Sequence, residues 1–151
     1  LFILKRIMKK SYYIDTCIYL NLWQKEVDDN TGAMLWKFAK DFLEKAEKES
    51  IVYYSGFILK ELKFILTDEE FDKKKVLFES SPNFRRVFLS EEEFNLARKI
   101  EKESNYEISF YDITHMLLAK KTKSLFITRD NKLINISKKY DIVAKRPEEL
   151  L

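Results

Sequence analysis

Short apolar runs alternate along the chain with longer stretches in which apolar residues recur every three or four positions, the two periods that mark strands and amphipathic helices. SYYI, residues 11–14, is an aromatic and β-branched run closed by Asp15. TCIYLNLWQKE follows it with helical spacing at Ile18, Leu22 and Trp23. Residues 33–49 set Leu35, Phe38, Ala39, Phe42 and Ala46 on one helical stripe, IVYY is a second strand, and FILKELKFIL returns to the helical period. Thr67 with Glu70, and Ser90 with Glu93, match the capping-box pattern ahead of DEEFDKKKVLF and EEEFNLARKIEKE, with FRRVFL predicted as a strand between them. SFYDITHMLLAKKT predicts a helix, LFIT a strand, DNKLINISKK a helix and DIVA a last short strand. Residues 67–86, with three consecutive lysines and then SSPN, read as an inserted arm or lid. This alternation predicts an α/β fold, a parallel sheet with helices on both faces, in which ligands bind outside the carboxyl ends of the strands. Acids at strand ends therefore carry information.

Composition narrows the function classes. At 151 residues and 46% hydrophobic, the chain can bury the core of a single domain without disulfides. Cys17 is the only cysteine and His115 the only histidine, so an internal bridge and a cysteine–histidine zinc site are both excluded, and a reducing cytoplasm is the expected setting. The opening LFILKRIMKK is too short an apolar run for a signal-peptide core, and no stretch reaches the ~18 apolar residues of a membrane span. Met8 reads as the natural start, with a single domain over 8–151 and residues 1–7 as an extension outside it. A net charge of +3 with 35% charged residues permits a nucleic-acid partner without requiring one. Two glycines, Gly32 and Gly56, leave no glycine-rich phosphate loop.

Four acids stand out, each with a structural alternative. Asp15 closes SYYI and Asp130 follows LFIT by two residues, which puts both at the carboxyl edge of the sheet. Each also precedes a helix, where aspartate is a favoured N-cap. Asp112 stands three places after Ser109, the S-x-x-D relation of a helix start, and His115 and Met116 follow on its face one turn later. His115 reads as a packed or supporting residue rather than a ligand. Glu61 is different. At about 100° per residue, Lys60 and Lys63 share one side of their helix, while Glu61 falls on the other, between Phe57 and the pair Ile58 and Ile65. A carboxylate set in an apolar stripe is costly unless paired or metal-bound. Carboxylates gathered at one edge repel unless a cation sits among them. Hard oxygen ligands without cysteine or a histidine set favour Mg²⁺ or Mn²⁺, ions suited to activating water against a phosphodiester.

The segments YYIDTCIYLNL, YYSGFILKEL and FYDITHMLLAKKTKSLFITRDNKL resemble the PIN-domain family, a nuclease group that includes the VapC toxins of toxin–antitoxin pairs. They are similar to the family's first acid after strand one, its acid on a helix, and its D-x-x-x-x-x-x-A and T-x-D close. The resemblance implies metal-binding and catalytic acids at Asp15, Glu61, Asp112 and Asp130, with Thr16 and Thr128 as supporting hydroxyls. It also implies a three-layer fold around a five-stranded parallel sheet, a homodimer, cleavage of single-stranded RNA to 5′-phosphate and 3′-hydroxyl ends, and an antitoxin partner. Departures are Cys17 where the family often has asparagine, and Lys132 and Leu133 where it often has aspartate and phenylalanine.

RNA requires positive charge near the acids, and the candidates are Arg129, Lys132 and Lys60, with Lys63, Arg85 and Arg86 behind them. In a chain this charged, most such residues simply solvate the surface. Tyr12, Tyr13, Tyr53, Tyr54 and Trp23 read as core rather than as stacking platforms. A haloacid-dehalogenase phosphatase would need an aspartate where Cys17 stands, and a receiver domain would need adjacent acids after its first strand. The remaining rival is a catalytically silent PIN-like module that binds RNA or protein.

Overall fold

A computed structural model of the chain describes residues 9–151, so the reading of Met8 as the start and of residues 1–7 as an extension lies outside the described residues. Five parallel strands form one sheet: β1 (Ser11–Ile14), β2 (Ile51–Tyr54), β3 (Phe84–Arg86), β4 (Leu125–Ile127) and β5 (Ala144–Lys145), in the order β3-β2-β1-β4-β5. Between them run α1 (Thr16–Trp23), α2 (Leu35–Glu49), α3 (Gly56–Ile65), α4 (Asp68–Ser80), α5 (Glu91–Glu103), α6 (Phe110–Lys121) and α7 (Asn131–Lys139), and a 3₁₀ turn at Pro147–Leu150 follows β5. The final strand begins at Ala144, the last residue of the predicted DIVA.

Both faces of the sheet are covered, and β1 shows how. Successive side chains of a strand point to opposite faces, so Tyr12 meets Phe42 of α2 edge-on at 5.0 Å, while Tyr13 turns to Phe126 and to His115 of α6. Tyr54 of β2 lies on the Tyr12 side and packs on Phe78 of α4. The layers are therefore helix, sheet, helix. The central strands are buried on both faces, as their near-continuous apolar runs demand. One helix departs from the layering. α3 touches α1 and α4 on one side and α6 on the other, which sets it across the carboxyl edge of the sheet.

Residues 67–86 are not an inserted arm. They form α4 and β3, an ordinary crossover and edge strand of the sheet. Phe78, only 1% exposed, holds this segment in place, ringed by Tyr19, Trp23, Tyr54 and Phe84. Thr67 caps α4 by accepting from the Glu70 N–H, and Ser90 with Glu93 forms the complete reciprocal box at α5. Among the described residues no helix is long and apolar enough to cross a membrane.

Candidate active site

The strand order reverses between β1 and β4, because the chain leaves β1 toward β2 and β3 and later returns to β1's other side. In open parallel sheets the crevice at such a reversal is where ligands bind. Asp15 lies in it. Its backbone N–H donates to Ile127 O at 2.8 Å, and its carboxylate is 5% exposed. It occupies the N-cap position of α1 but takes no helix N–H; instead Oδ2 accepts from Thr128 Oγ1 at 2.8 Å and from Cys17 Sγ at 3.4 Å. Burial raises its pKa, and the charge of Glu61 adds to the rise, against the opposing pull of His115 and the Thr128 bond.

Thr128 couples the two strand ends, since its hydroxyl donates to Asp15 and accepts from the Asp130 N–H at 3.2 Å. Asp130 is exposed and is a working cap: Oδ1 accepts from the N–H groups of Lys132 (2.9 Å) and Leu133 (3.3 Å) at the start of α7. Asp112 enters from α6, where its N–H donates to Ser109 Oγ at 3.1 Å. Burial, then the charges of Asp15 and Asp130, raise its pKa to about 6 against the lowering influence of His115 and Ser109.

Glu61 reaches the same edge from α3. Its Oε1 accepts from Thr16 Oγ1 at 2.9 Å and forms a very short bond with His115 Nε2. Behind the imidazole, Nδ1 meets the Tyr13 hydroxyl at 2.8 Å, and that hydroxyl meets Ser55 Oγ at 2.7 Å. Burial lowers the pKa of His115, but the Glu61 bond and the charges of Asp15, Glu61 and Asp112 together raise it above its ordinary value. Tyr13 is expected from the sequence as core alone, and no motif marks Ser55. Tyr13 is indeed fully buried; its hydroxyl, not its ring, joins the site.

All four predicted acids thus stand at one edge, each within electrostatic reach of another. Three share a pattern. Asp15, Glu61 and Asp130 each commit one oxygen to protein donors, while among the described residues the other accepts no hydrogen bond. Among the described residues, no three acids, histidines or cysteines close around a single point, because Glu61 is turned onto His115 and Asp130 onto its own helix. The donor chemistry, hard oxygens of which two have pKa values raised by burial and then by the neighbouring carboxylates, fits a divalent cation.

The cations sort differently. Arg129, expected to face phosphate, is turned inward: Nε donates to Asn21 Oδ1 at 2.6 Å and Nη1 to Glu148 Oε2 at 2.8 Å, leaving the side chain 14% exposed. Arg146 adds a second tie, from the 3₁₀ turn to Asn131 at the start of α7. Lys60 and Lys132 are exposed and, among the described residues, form no ion pair.

Comparison with solved structures shows the same fold in proteins of low sequence identity. FitAcB from Neisseria gonorrhoeae is 18% identical, covering 91% of this chain and 98% of its own, with a TM-score of 0.62. VapBC2 from Rickettsia felis, bound to a DNA fragment from their promoter, is 15% identical, covering 90% and 98%, with a TM-score of 0.62. PAE2754 from Pyrobaculum aerophilum is 15% identical, covering 95% of each chain, with a TM-score of 0.53. No curated protein matches the sequence closely enough to count as a relative. Residues 12–139, from β1 through α7, match the family model described as the PIN domain, and the chain belongs to the PIN-domain family, whose members are generally nucleases.

Proposed function

We propose that the protein is a metal-dependent endoribonuclease that hydrolyses single-stranded RNA, leaving 5′-phosphate and 3′-hydroxyl ends, with Asp15, Glu61, Asp112 and Asp130 as its catalytic acids. The observation that carries this reading is the paired use of carboxylate oxygens: Asp15, Glu61 and Asp130 are each anchored through one oxygen and leave the other unpaired at the crevice. Those oxygens, with Asp112, would hold Mg²⁺ or Mn²⁺. Such an ion, when bound, activates water, neutralises phosphate charge and stabilises the leaving oxygen.

The chain's own residues orient the acids and supply charge around them. Thr128 fixes Asp15 relative to the Asp130 loop, and Thr16 does the same for Glu61 relative to α1. Asp112, with a pKa of about 6, is ionised over most of its population at neutral pH and takes up a proton as pH falls through that value. Lys60 and Lys132, exposed on the helices that carry Glu61 and follow Asp130, would supply positive charge to the RNA backbone; Arg129 instead braces the loop. Membership of the PIN family and the likeness to the paired FitAcB and VapBC2 support the further reading of a cytoplasmic, homodimeric toxin with an antitoxin partner.

The test is incubation of the pure protein with single-stranded RNA and Mn²⁺ or Mg²⁺, beside EDTA and Asp112→Asn controls. Cleavage is expected with the ions, and none in either control. Cleavage that persists in Asp112→Asn would point to a contaminant. Failure to cut any RNA would favour the silent binding module.

A further inference from the structure

The chain's single histidine, fully buried, meets Glu61 at the end of a line of polar groups drawn from four parts of the fold. Ser55, just after β2, caps α3 by accepting the Ile58 N–H at 3.4 Å, and its own hydrogen is then free for Tyr13 Oη at 2.7 Å. The Tyr13 hydroxyl, from β1, can donate onward to His115 Nδ1 at 2.8 Å. That leaves the imidazole hydrogen on Nε2, which faces Glu61 Oε1. In the imidazolium form Nε2 carries a hydrogen as well, so the bond to Glu61 is donated from the ring in either state.

Tyr13 and His115 are fully buried and Ser55 is 1% exposed, so water does not replace any member of the line. Buried polar groups of this kind are tolerated when every member is satisfied, and they then rigidify what they touch. The rigidity here has a direction. His115 and Thr16 both bond the same oxygen of Glu61, so a side chain with three free torsions is held with Oε1 occupied, while among the described residues Oε2 accepts no hydrogen bond.

We infer that His115, backed by Tyr13 and Ser55, is a positioning residue that fixes Glu61 so that Oε2 is presented to the divalent cation. The inference rests on the metal-dependent reading above and assigns that reading a component outside the four acids. His115 does not touch the ion in this account. It acts through Glu61, and because it stands three residues after Asp112 on α6, one helix sets both the acid and the clamp.

Mn²⁺ affinity, measured by the free-ion electron paramagnetic resonance signal on folded protein without RNA, separates positioning from a purely structural role. Outer partners of metal ligands typically contribute about 10–100-fold to affinity, and His115→Ala is expected to weaken Mn²⁺ binding by that range. His115→Gln, which restores an N–H donor, should recover part of the loss, and Tyr13→Phe, which keeps the ring, should weaken binding by a smaller factor. With one histidine in the chain, ¹⁵N imidazole spectra report a single ring, and a hydrogen on Nε2 is expected in the unmutated protein. Mn²⁺ affinity equal to that of the unmutated protein in folded His115→Ala or, should that variant not fold, in Tyr13→Phe would overturn the clamp while leaving the metal-dependent reading intact. A ring lacking hydrogen on Nε2 would do the same. Absence of Mn²⁺ binding in the unmutated protein would overturn both.

Discussion

The amino ends of α1 and α7 meet the same edge of the sheet, and an aspartate at the end of a parallel strand introduces each, yet the two are held in opposite ways. Asp130 does what an aspartate there ordinarily does: it is exposed, and one oxygen accepts two helix N–H groups. Asp15 occupies the equivalent cap position at α1, but its carboxylate gives up the helix and bonds Thr128 and Cys17 inside the crevice, where burial raises its pKa. An acid that forgoes a cap and accepts desolvation works against stability, which is the pattern of residues retained for function. The contrast separates a dual-purpose acid from a dedicated one.

The largest expected effect is at Asp15. Asp15→Asn should lower RNA cleavage by on the order of 10²–10³-fold, the scale of removing one preorganised charge-stabilising group. The metal-free melting temperature should hold or rise, since a buried carboxylate with a raised pKa is being neutralised. A clear fall in that temperature would erase the distinction from Asp130.

Asp112 supplies the next effect, through pH. Its folded pKa of about 6 lies above the ordinary 3.8, so between those values the folded chain keeps a proton the unfolded chain has released. Stability from this group is therefore full below about pH 4 and is lost as pH rises toward 6, the reverse of a salt-bridged aspartate. Mn²⁺ affinity runs the other way, falling by about tenfold per pH unit below 6 as protons compete for the carboxylate. Asp112→Asn should flatten the stability slope, as followed by urea denaturation across pH 4–7.

The smallest effect tests the cap itself. Asp130→Ala should reduce stability by about 1 kcal/mol, whereas Asp130→Asn, an equally good cap, should reduce cleavage with little loss of stability. Asp15→Ala should show no such cap penalty. Equal cap penalties at the two sites, measured by urea denaturation, would mean that Asp15 caps α1 in solution.

The alternating strands and helices were legible because period and burial agree in β1, β2 and β4, and the four acids were legible from their places at strand ends and on α3. The helix of α4 was legible too, from its Thr67 cap, but its docking on the sheet was not, because the acids at its start and Lys73, Lys74 and Lys75 outweigh one buried aromatic, Phe78, that holds it there. Glu61 read correctly as an acid on the inward side of its helix, although Ile65, expected beside it, is 52% exposed. Its partner was out of reach, since nothing local in the sequence says that a histidine 54 residues away will face it. Tyr13 is core, as its type indicated, with a hydroxyl that the fold puts to further use, whereas Arg129, expected from its charge to face phosphate, serves as an inward brace.

The hydrogen bond between Thr128 and Asp15 joins residues 113 apart in the chain. During synthesis, β1 and α1 emerge long before the strand that completes the crevice beside them. Because that pairing awaits the emergence of β4 and the loop to Asp130, assembly of the candidate centre is timed to the last stage of folding, and a polypeptide halted before residue 128 does not assemble it.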